Sequence, residues 1–263
     1  MPRADYDGWM AGAYDAGRYL RPAAFETWGR VVRPFLVEMG DGPVLDLGAG
    51  TGRFSGHLAE WSGAAVIALE PATAMASRAQ AKRMPGVNVV AGAGEAIPLE
   101  DDAVAVVWLS QVVHHIDDLD RTVFELERAV RPGGRVLIRG EFGPDSPAAV
   151  SSADFAVYRY FPAARRVADT FPSRRRVLEA FSSAGFVEET STTVAQTTAA
   201  SLREFYERLS TRADSTLAAL DDDTFTAGLQ ALERDARSET SPTPVVDHLH
   251  FTVLRSTSTK TPT

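Results

Sequence analysis

The stretch VLDLGAGTGRF, residues 44 to 54, constrains this chain more than any other. Val44, Leu45, Asp46 and Leu47 read as a short buried strand carrying one carboxylate. Gly48, Gly50 and Gly52 then permit a tight turn with positive φ and bare the backbone for close approach. Phe54, Leu58 and Trp61 fall at helical spacing over 53–62. A strand, a glycine turn and a helix in that order point unpaired helix N–H groups at a ligand.

The same alternation continues. Strand-like runs recur at 66–69, 87–91, 104–109 and 135–139, with helical patterns at 72–83 and 119–130 between them. Strands alternating with helices predict right-handed βαβ units and a parallel sheet. VAVVWL at 104–109 is apolar on both faces, as a central parallel strand requires. Pro132 and Gly133 of RPGG stop the helix before the fifth strand. Residues 5–39 read as one or two helices with a stripe of Trp28, Val31, Val32, Phe35 and Leu36. Beyond Glu141 come a loop, an aromatic and basic stretch at 152–170, a helix at 173–184 and a strand at 186–196. A polar helical stretch over about 201–237 and a strand at 247–255 follow, and the tail STSTKTPT reads as disordered.

Composition narrows the function classes. The 263 residues, 44% hydrophobic, suffice for one large α/β domain or one with an inserted lid. The chain has no cysteine, which excludes disulfides, thiolate metal sites and cysteine nucleophiles. A net charge of −8 argues against a general binder of nucleic-acid backbones. The first ten residues lack a signal-peptide core and no run approaches about 18 apolar residues, so a soluble cytoplasmic protein with no membrane span is expected. Five histidines form no ligand-spaced cluster, and DDLD and LDDDTF lack the glycine and spacing of a calcium loop, so no metal site is expected.

A dinucleotide fingerprint requires Gly or Ala at position 53, where Arg53 stands. The spacing G-x-G-x-G behind an acidic strand residue instead resembles the first motif of the class I S-adenosylmethionine-dependent methyltransferases. Glu70, about 20 residues past the glycines at the end of the next strand, can accept both hydroxyls of a ribose. GEAIPLEDDAV at 94–104, WLSQVVHHI at 108–116 and LERAVRPGGRVLI at 126–138 resemble the later segments of that family, in order. The resemblance covers about residues 40–142 and is nearest to the small-molecule branch that includes ubiquinone-type methyltransferases.

It implies a Rossmann-like α/β fold with a helical lid and a seven-stranded, mostly parallel sheet of order 3-2-1-4-5-7-6, the last strand antiparallel. It implies cap helices over 1–39, and a methyltransferase domain over 40–256 with lid insertions at about 143–172 and 198–243; the disordered tail is 257–263. S-adenosylmethionine would be the cofactor and S-adenosylhomocysteine its product. Its contacts would come from Asp46, Gly48, Ala49, Gly50 and Gly52, from Glu70 and Pro71, from Gly94, Glu95 and Ala96, and from Ser110 and Gln111. Ala93 and Ala105 stand where the family usually has acids, which leaves the adenine to the backbone at 94–96 and to Ile97. AYDAGRYLRP resembles the family's cap helix, in which Tyr14 and Arg18 share a face. Arg18 either pairs the methionine carboxylate or is a solvated arginine beside a tyrosine packed on the sheet.

His114 and His115 follow the fourth strand, at the end where open α/β sheets bind ligands. Histidine is well poised to take a proton near neutral pH, so one of the two, with His114 ahead, is a candidate base; alternatively they cap or pack. Asp117 or Asp118 reads as a helix cap. Arg165, Arg166 and Arg174 to Arg176 can meet an anionic partner, although a charge run is usually a solvated face. Phe155, Tyr158, Tyr160 and Phe161 in the lid suggest an apolar or aromatic small-molecule methyl acceptor, natural-product or quinone-like, rather than a nucleic acid. A protein of the same fold that binds the cofactor without transferring a methyl group is the alternative. The acceptor atom and the oligomeric state stay open at this level.

Overall fold

A computed structural model describes residues 6–145 and 155–258. Most of the expected disordered tail and residues 146–154 of the expected 143–172 insertion lie outside the described residues. Seven strands form one sheet: β1 (Val44–Leu47), β2 (Val66–Glu70), β3 (Val87–Ala91), β4 (Val104–Ser110), β5 (Val130–Gly140), β6 (Phe186–Ala199) and β7 (Val245–Ser256). Their order is β3-β2-β1-β4-β5-β7-β6. β7 runs antiparallel to both its neighbours and the other pairs are parallel. The order and direction are those the resemblance implied.

β1 and β4 occupy the centre, and every residue of both is buried except Ser110 at the end of β4. This is why both read as continuous apolar runs instead of alternating ones. β5 starts earlier than the sequence suggested, because Val130 pairs with Val104 before the ladder breaks. RPGG forms that break, with Gly133 at φ +73°, and regular pairing resumes where Arg135 meets Val106.

Eleven helices complete the described residues: α1 (Trp9–Gly17), α2 (Pro22–Val37), α3 (Ser55–Ser62), α4 (Thr73–Ala81), α5 (Leu119–Ala129), α6 (Val157–Tyr160), α7 (Pro162–Ala168), α8 (Arg174–Ser183), α9 (Leu202–Ser210), α10 (Ser215–Ala218) and α11 (Asp222–Ser238). Local chemistry fixes their ends. Pro22 opens α2 where its missing N–H costs nothing. Asp118 caps α5, its side chain accepting from the Arg121 N–H at 2.9 Å.

One face of the sheet packs Leu45, Leu69, Val107 and Ile138 against α5 and α8. The other packs Trp108 and Phe251 against Trp28, Leu58 and Trp61 from α2 and α3. Trp28 is fully buried, and its indole N–H donates to Gln196 Oε1 at 2.9 Å, which satisfies the only polar atom the side chain carries. A third cluster lies away from the sheet centre, where Phe161, Phe205, Leu209 and Leu232 join α7, α9 and α11. Gly228 is required there, since a Cβ would come within 2.4 Å of the Phe161 ring. No described helix is long and apolar enough to cross a membrane, and no group of three potential metal ligands occurs among the described residues.

Asp46 is the one charged residue in β1, only 3% exposed, and its Oδ2 accepts from the Ser55 hydroxyl at 2.6 Å. Burial raises its pKa from 3.8 to about 7, the Ser55 bond opposing and Glu70 adding to the rise. A raised carboxyl favours folding fully below its unfolded value and loses that contribution as pH climbs through 7. Asp46→Asn removes the titration and keeps the shape. The variant is expected to gain on wild type by on the order of 2 kcal/mol between pH 5 and 7.5, measured by denaturant unfolding at both values. A gap that does not change with pH would refute the raised value.

Candidate functional site

At the carboxyl ends of β1, β2 and β4 the backbone turns sharply. Gly48, Gly50 and Gly52 all have positive φ, at +69°, +59° and +76°. The N–H groups of Gly48 and Ala49 donate to the Leu69 carbonyl at 2.9 and 3.1 Å, which seats the turn on the end of β2. Glu70 closes it from the side: its Oε2 accepts from Gly50 N–H at 2.8 Å and its Oε1 from Ala72 N–H at 2.9 Å. Burial raises the pKa of this carboxyl, and the two backbone bonds pull against the rise.

Above the turn is a cavity of about 490 Å³. Of the residues assigned to the cofactor, Tyr14, Gly48, Gly50, Glu70, Pro71, Gly94, Glu95, Ser110 and Gln111 line it, and so does His115. A Cβ added at Gly50 would stand in van der Waals contact with Met75 at 3.6 Å and Tyr14 at 3.9 Å, without a clash. The bare backbone there is the kind of floor a ligand needs. Glu95 Oε1 accepts from the N–H groups of Asp117 and Asp118 at 3.2 and 3.4 Å, which fixes the loop after β4 against the segment after β3.

Other assigned residues lie elsewhere. Asp46 sits beneath the turn, bonded to Ser55. Ala49 serves through its N–H, and Ala96 donates to the Ala93 carbonyl in a local turn. Gly52 backs onto Met84, whose methyl would lie 2.5 Å from an added Cβ. These four support the walls and do not line them.

Arg18 and His114 belong to a second, inner cavity of about 70 Å³. Arg18 is ion-paired with Asp214, so the carboxylate it meets is the protein's own. The two histidines share a single 3₁₀ turn, Val113–His115, with ring centroids 4.1 Å apart, yet His114 lines the inner cavity and His115 the outer one. His114 stacks on Phe171 with ring centroids 4.1 Å apart and planes at 13°. Burial, and then His115 and Arg18, push its pKa well below 6.5, so its imidazole is neutral. His115 Nε2 shares a hydrogen bond with the Tyr6 hydroxyl at 3.0 Å over the outer cavity.

Gln111 lines both cavities and has φ +57°, a left-handed conformation that non-glycine residues seldom adopt. Its N–H donates to the Arg139 carbonyl at 2.7 Å, and Gly140 leaves room for its amide, since a Cβ there would lie 3.1 Å from Gln111 Oε1. It stands as the partition between the two spaces.

Sequence reasoning missed Tyr6, Asp7 and Met75 in the outer cavity and Arg53, Arg139, Glu141, Arg208, Asp214 and Asp247 in the inner one. A signal existed for two of them: Arg139 and Glu141 alternate on one face at the carboxyl end of β5, where such sheets bind ligands. The lid aromatics divide. Tyr160 and Phe161 enter the lid core, whereas Phe155 and Tyr158 line the inner cavity beside charged groups. Four arginines of the basic clusters are ion-paired: Arg165 with Asp169, Arg174 with Glu188, Arg175 with Glu179 and Arg176 with Asp120.

Residues 45–138 match the family described as Methyltransferase domain. An uncharacterized methyltransferase of Mycobacterium tuberculosis is 36% identical over 129 residues, covering 49% of each chain. A malonyl-[acyl-carrier protein] O-methyltransferase of Methylococcus capsulatus is 38% identical over 120 residues, 44% of this chain and 43% of that one. The chain thus aligns with about half the length of the curated relatives it matches. Among solved structures, the [4+2]-cyclase SpnF superposes with a TM-score of 0.61 at 18% identity, covering 91% of this chain and 84% of that one. A putative sarcosine dimethylglycine methyltransferase from Galdieria sulphuraria gives 0.60 at 16% identity, covering 97% and 99%. The match over 45–138 spans β1 to β5 and contains the glycine turn closed by Glu70, so this part of the chain is a methyltransferase domain, set in a seven-stranded sheet of the order found here.

Proposed function

We propose that the protein transfers a methyl group from S-adenosylmethionine to a small molecule, with the cofactor in the outer cavity and the acceptor in the inner one behind Gln111. The observation that carries this reading is the posture of Glu70. A carboxylate offers about four lone-pair sites, and the Gly50 and Ala72 N–H groups engage one on each oxygen. One site on each oxygen is left for the two hydroxyls of a ribose, and the side-chain-free backbone of Gly50 on the cavity wall fits a ligand laid across it.

Bound S-adenosylmethionine supplies a methyl group on a positively charged sulfur, a donor that is already activated. What remains for the chain is alignment and the exclusion of water, which can contribute several kcal/mol. Tyr14 and Tyr6 cover the outer cavity, Glu95 holds the 117–118 backbone, and Ser110 and Gln111 set the boundary across which the reactants meet. His114, neutral and at the inner cavity, is placed to take a proton from the acceptor. The small inner cavity suits a metabolite better than a base on a nucleic-acid strand, in line with the net charge of −8. A cytoplasmic setting fits a reaction that consumes a metabolic cofactor. SpnF is a cyclase on the same fold, so transfer has to be tested directly.

Mass spectrometry of small acceptors incubated with protein and S-adenosylmethionine should show methylated product; an intact cofactor site with no product from a broad acceptor set would favour the cyclase-like alternative. Glu70→Ala and Gly50→Val are each expected to weaken S-adenosylhomocysteine by about 10-fold or more in calorimetry, given the worth of bonds to a charged group, with circular dichroism confirming folding. Wild-type affinity in Glu70→Ala would remove the ribose assignment.

The histidines separate by cavity. His115→Ala should weaken cofactor affinity, whereas His114→Ala should spare it and lower turnover by about 10²- to 10⁴-fold if the imidazole is the base. Normal turnover in His114→Ala would leave positioning as the whole mechanism.

A further inference from the structure

The inner cavity holds more positive charge than its own carboxylates neutralise. Arg18, Arg53, Arg139 and Arg208 line it with Glu141, Asp214 and Asp247. Asp214 is taken by Arg18. Asp247 is occupied by the Ala156 N–H at 3.1 Å and by the Thr198 hydroxyl, and Glu141 Oε2 by the Tyr158 hydroxyl at 2.7 Å. Arg53, Arg139 and Arg208 make no ion pair among the described residues.

Their hydrogen bonds go to neutral atoms. Arg53 Nη1 donates to the Arg18 carbonyl at 2.6 Å, and Arg208 Nη1 to the carbonyls of Tyr19 and Thr198 at 2.9 and 3.0 Å. Arg139, 2% exposed, donates to Ser110 Oγ at 3.0 Å and Gln196 Oε1 at 2.5 Å, and lies over the ring of Trp28 at 4.7 Å. The Nε atoms of Arg53 and Arg139 and the Oε1 of Glu141 are buried without a hydrogen-bond partner. Desolvation, and then Arg53 and Arg18, press on the Arg139 guanidinium, yet arginine does not give up its proton in a protein. Burial also raises Glu141 to about 7, so its carboxyl is protonated over part of the neutral range and cancels little of the charge. Buried charge without a counterion is costly, and an entering anion removes that cost.

We infer that the methyl acceptor is a small anion whose carboxylate or phosphate group is held by Arg139 together with Arg53 and Arg208. This rests on the outer cavity being the cofactor's. Arg139 also connects the two spaces, because the Ser110 hydroxyl that accepts from it lines the outer cavity. The planar fork of arginine suits either anion, and the small cavity limits the acceptor's size.

Calorimetry on the full chain tests this in two stages. S-adenosylhomocysteine is titrated first; then, at saturation, malonate, inorganic phosphate and neutral malonamide serve as probes. Wild type should bind malonate or phosphate and not malonamide, and the preferred anion identifies the acceptor's group. Arg139→Met and Arg208→Gln should weaken that anion by about 10- to 100-fold while S-adenosylhomocysteine binds as in wild type. The surface variant Arg176→Gln should bind both as wild type does. Where Arg139→Met does not fold, Arg208→Gln carries the comparison. Equal binding of malonamide, no anion binding at all, or anion binding unchanged in the folded cavity variants would overturn the inference. Failure of S-adenosylhomocysteine to bind wild type would overturn the cofactor reading, and this inference with it.

Discussion

The site depends on one carboxylate held by backbone from two directions. Glu70 ends β2, accepts from the glycine turn after β1 through Gly50, and accepts from the start of the next connection through Ala72. Bonds of backbone N–H groups to an ionised carboxylate are among the stronger ones a protein makes. They fix the floor and one wall of the outer cavity relative to each other. The glycines at 48 and 50 make the approach feasible, since their left-handed φ values would strain any branched residue. Asp46 beneath the turn adds rigidity through Ser55, at an electrostatic cost that the raised pKa records.

A second set of contacts encloses the site from above. Asp7 accepts from Ala74 N–H at 2.9 Å at the start of α4, and Asp15 accepts from Thr51 of the glycine turn and from Lys82 at 3.1 Å. Arg18 reaches Asp214 before α10, and Arg21 reaches Glu204 of α9 at 2.7 Å. The more exposed of these pairs contribute little singly. Their common effect is geometric: the segment around α1 bridges the sheet's loops and the helices of the third apolar cluster, so both cavities share one roof.

The central fold was legible because its physics is local. The β1 run, the three glycines and Glu70 lie within 27 residues, and the uninterrupted apolar run of β4 marks a strand covered on both faces. The outer cavity's floor followed from the same stretch. The inner cavity was not legible, because its charges come from the end of α1, the glycine turn, β5 and the residue after it, α9, the start of α10 and β7, and only folding brings them together. Arg139 falls at the end of a strand-like run, and Asp214, which caps α10, falls inside a polar stretch that reads only as helical. The aromatics after Glu141 divide for a related reason: Phe161 packs on Gly228 in the third apolar cluster, whereas Phe155 and Tyr158 line the inner cavity.

Gln111 bears on how this protein would respond to selection for heat resistance. A non-glycine residue in the left-handed region typically costs on the order of 1 kcal/mol, and glycine at the same place does not. A screen for thermal tolerance alone would therefore be drawn to position 111. The gain would come at a side chain that lines both cavities. Backbone relaxation and the wall between the two cavities are therefore opposed at this residue.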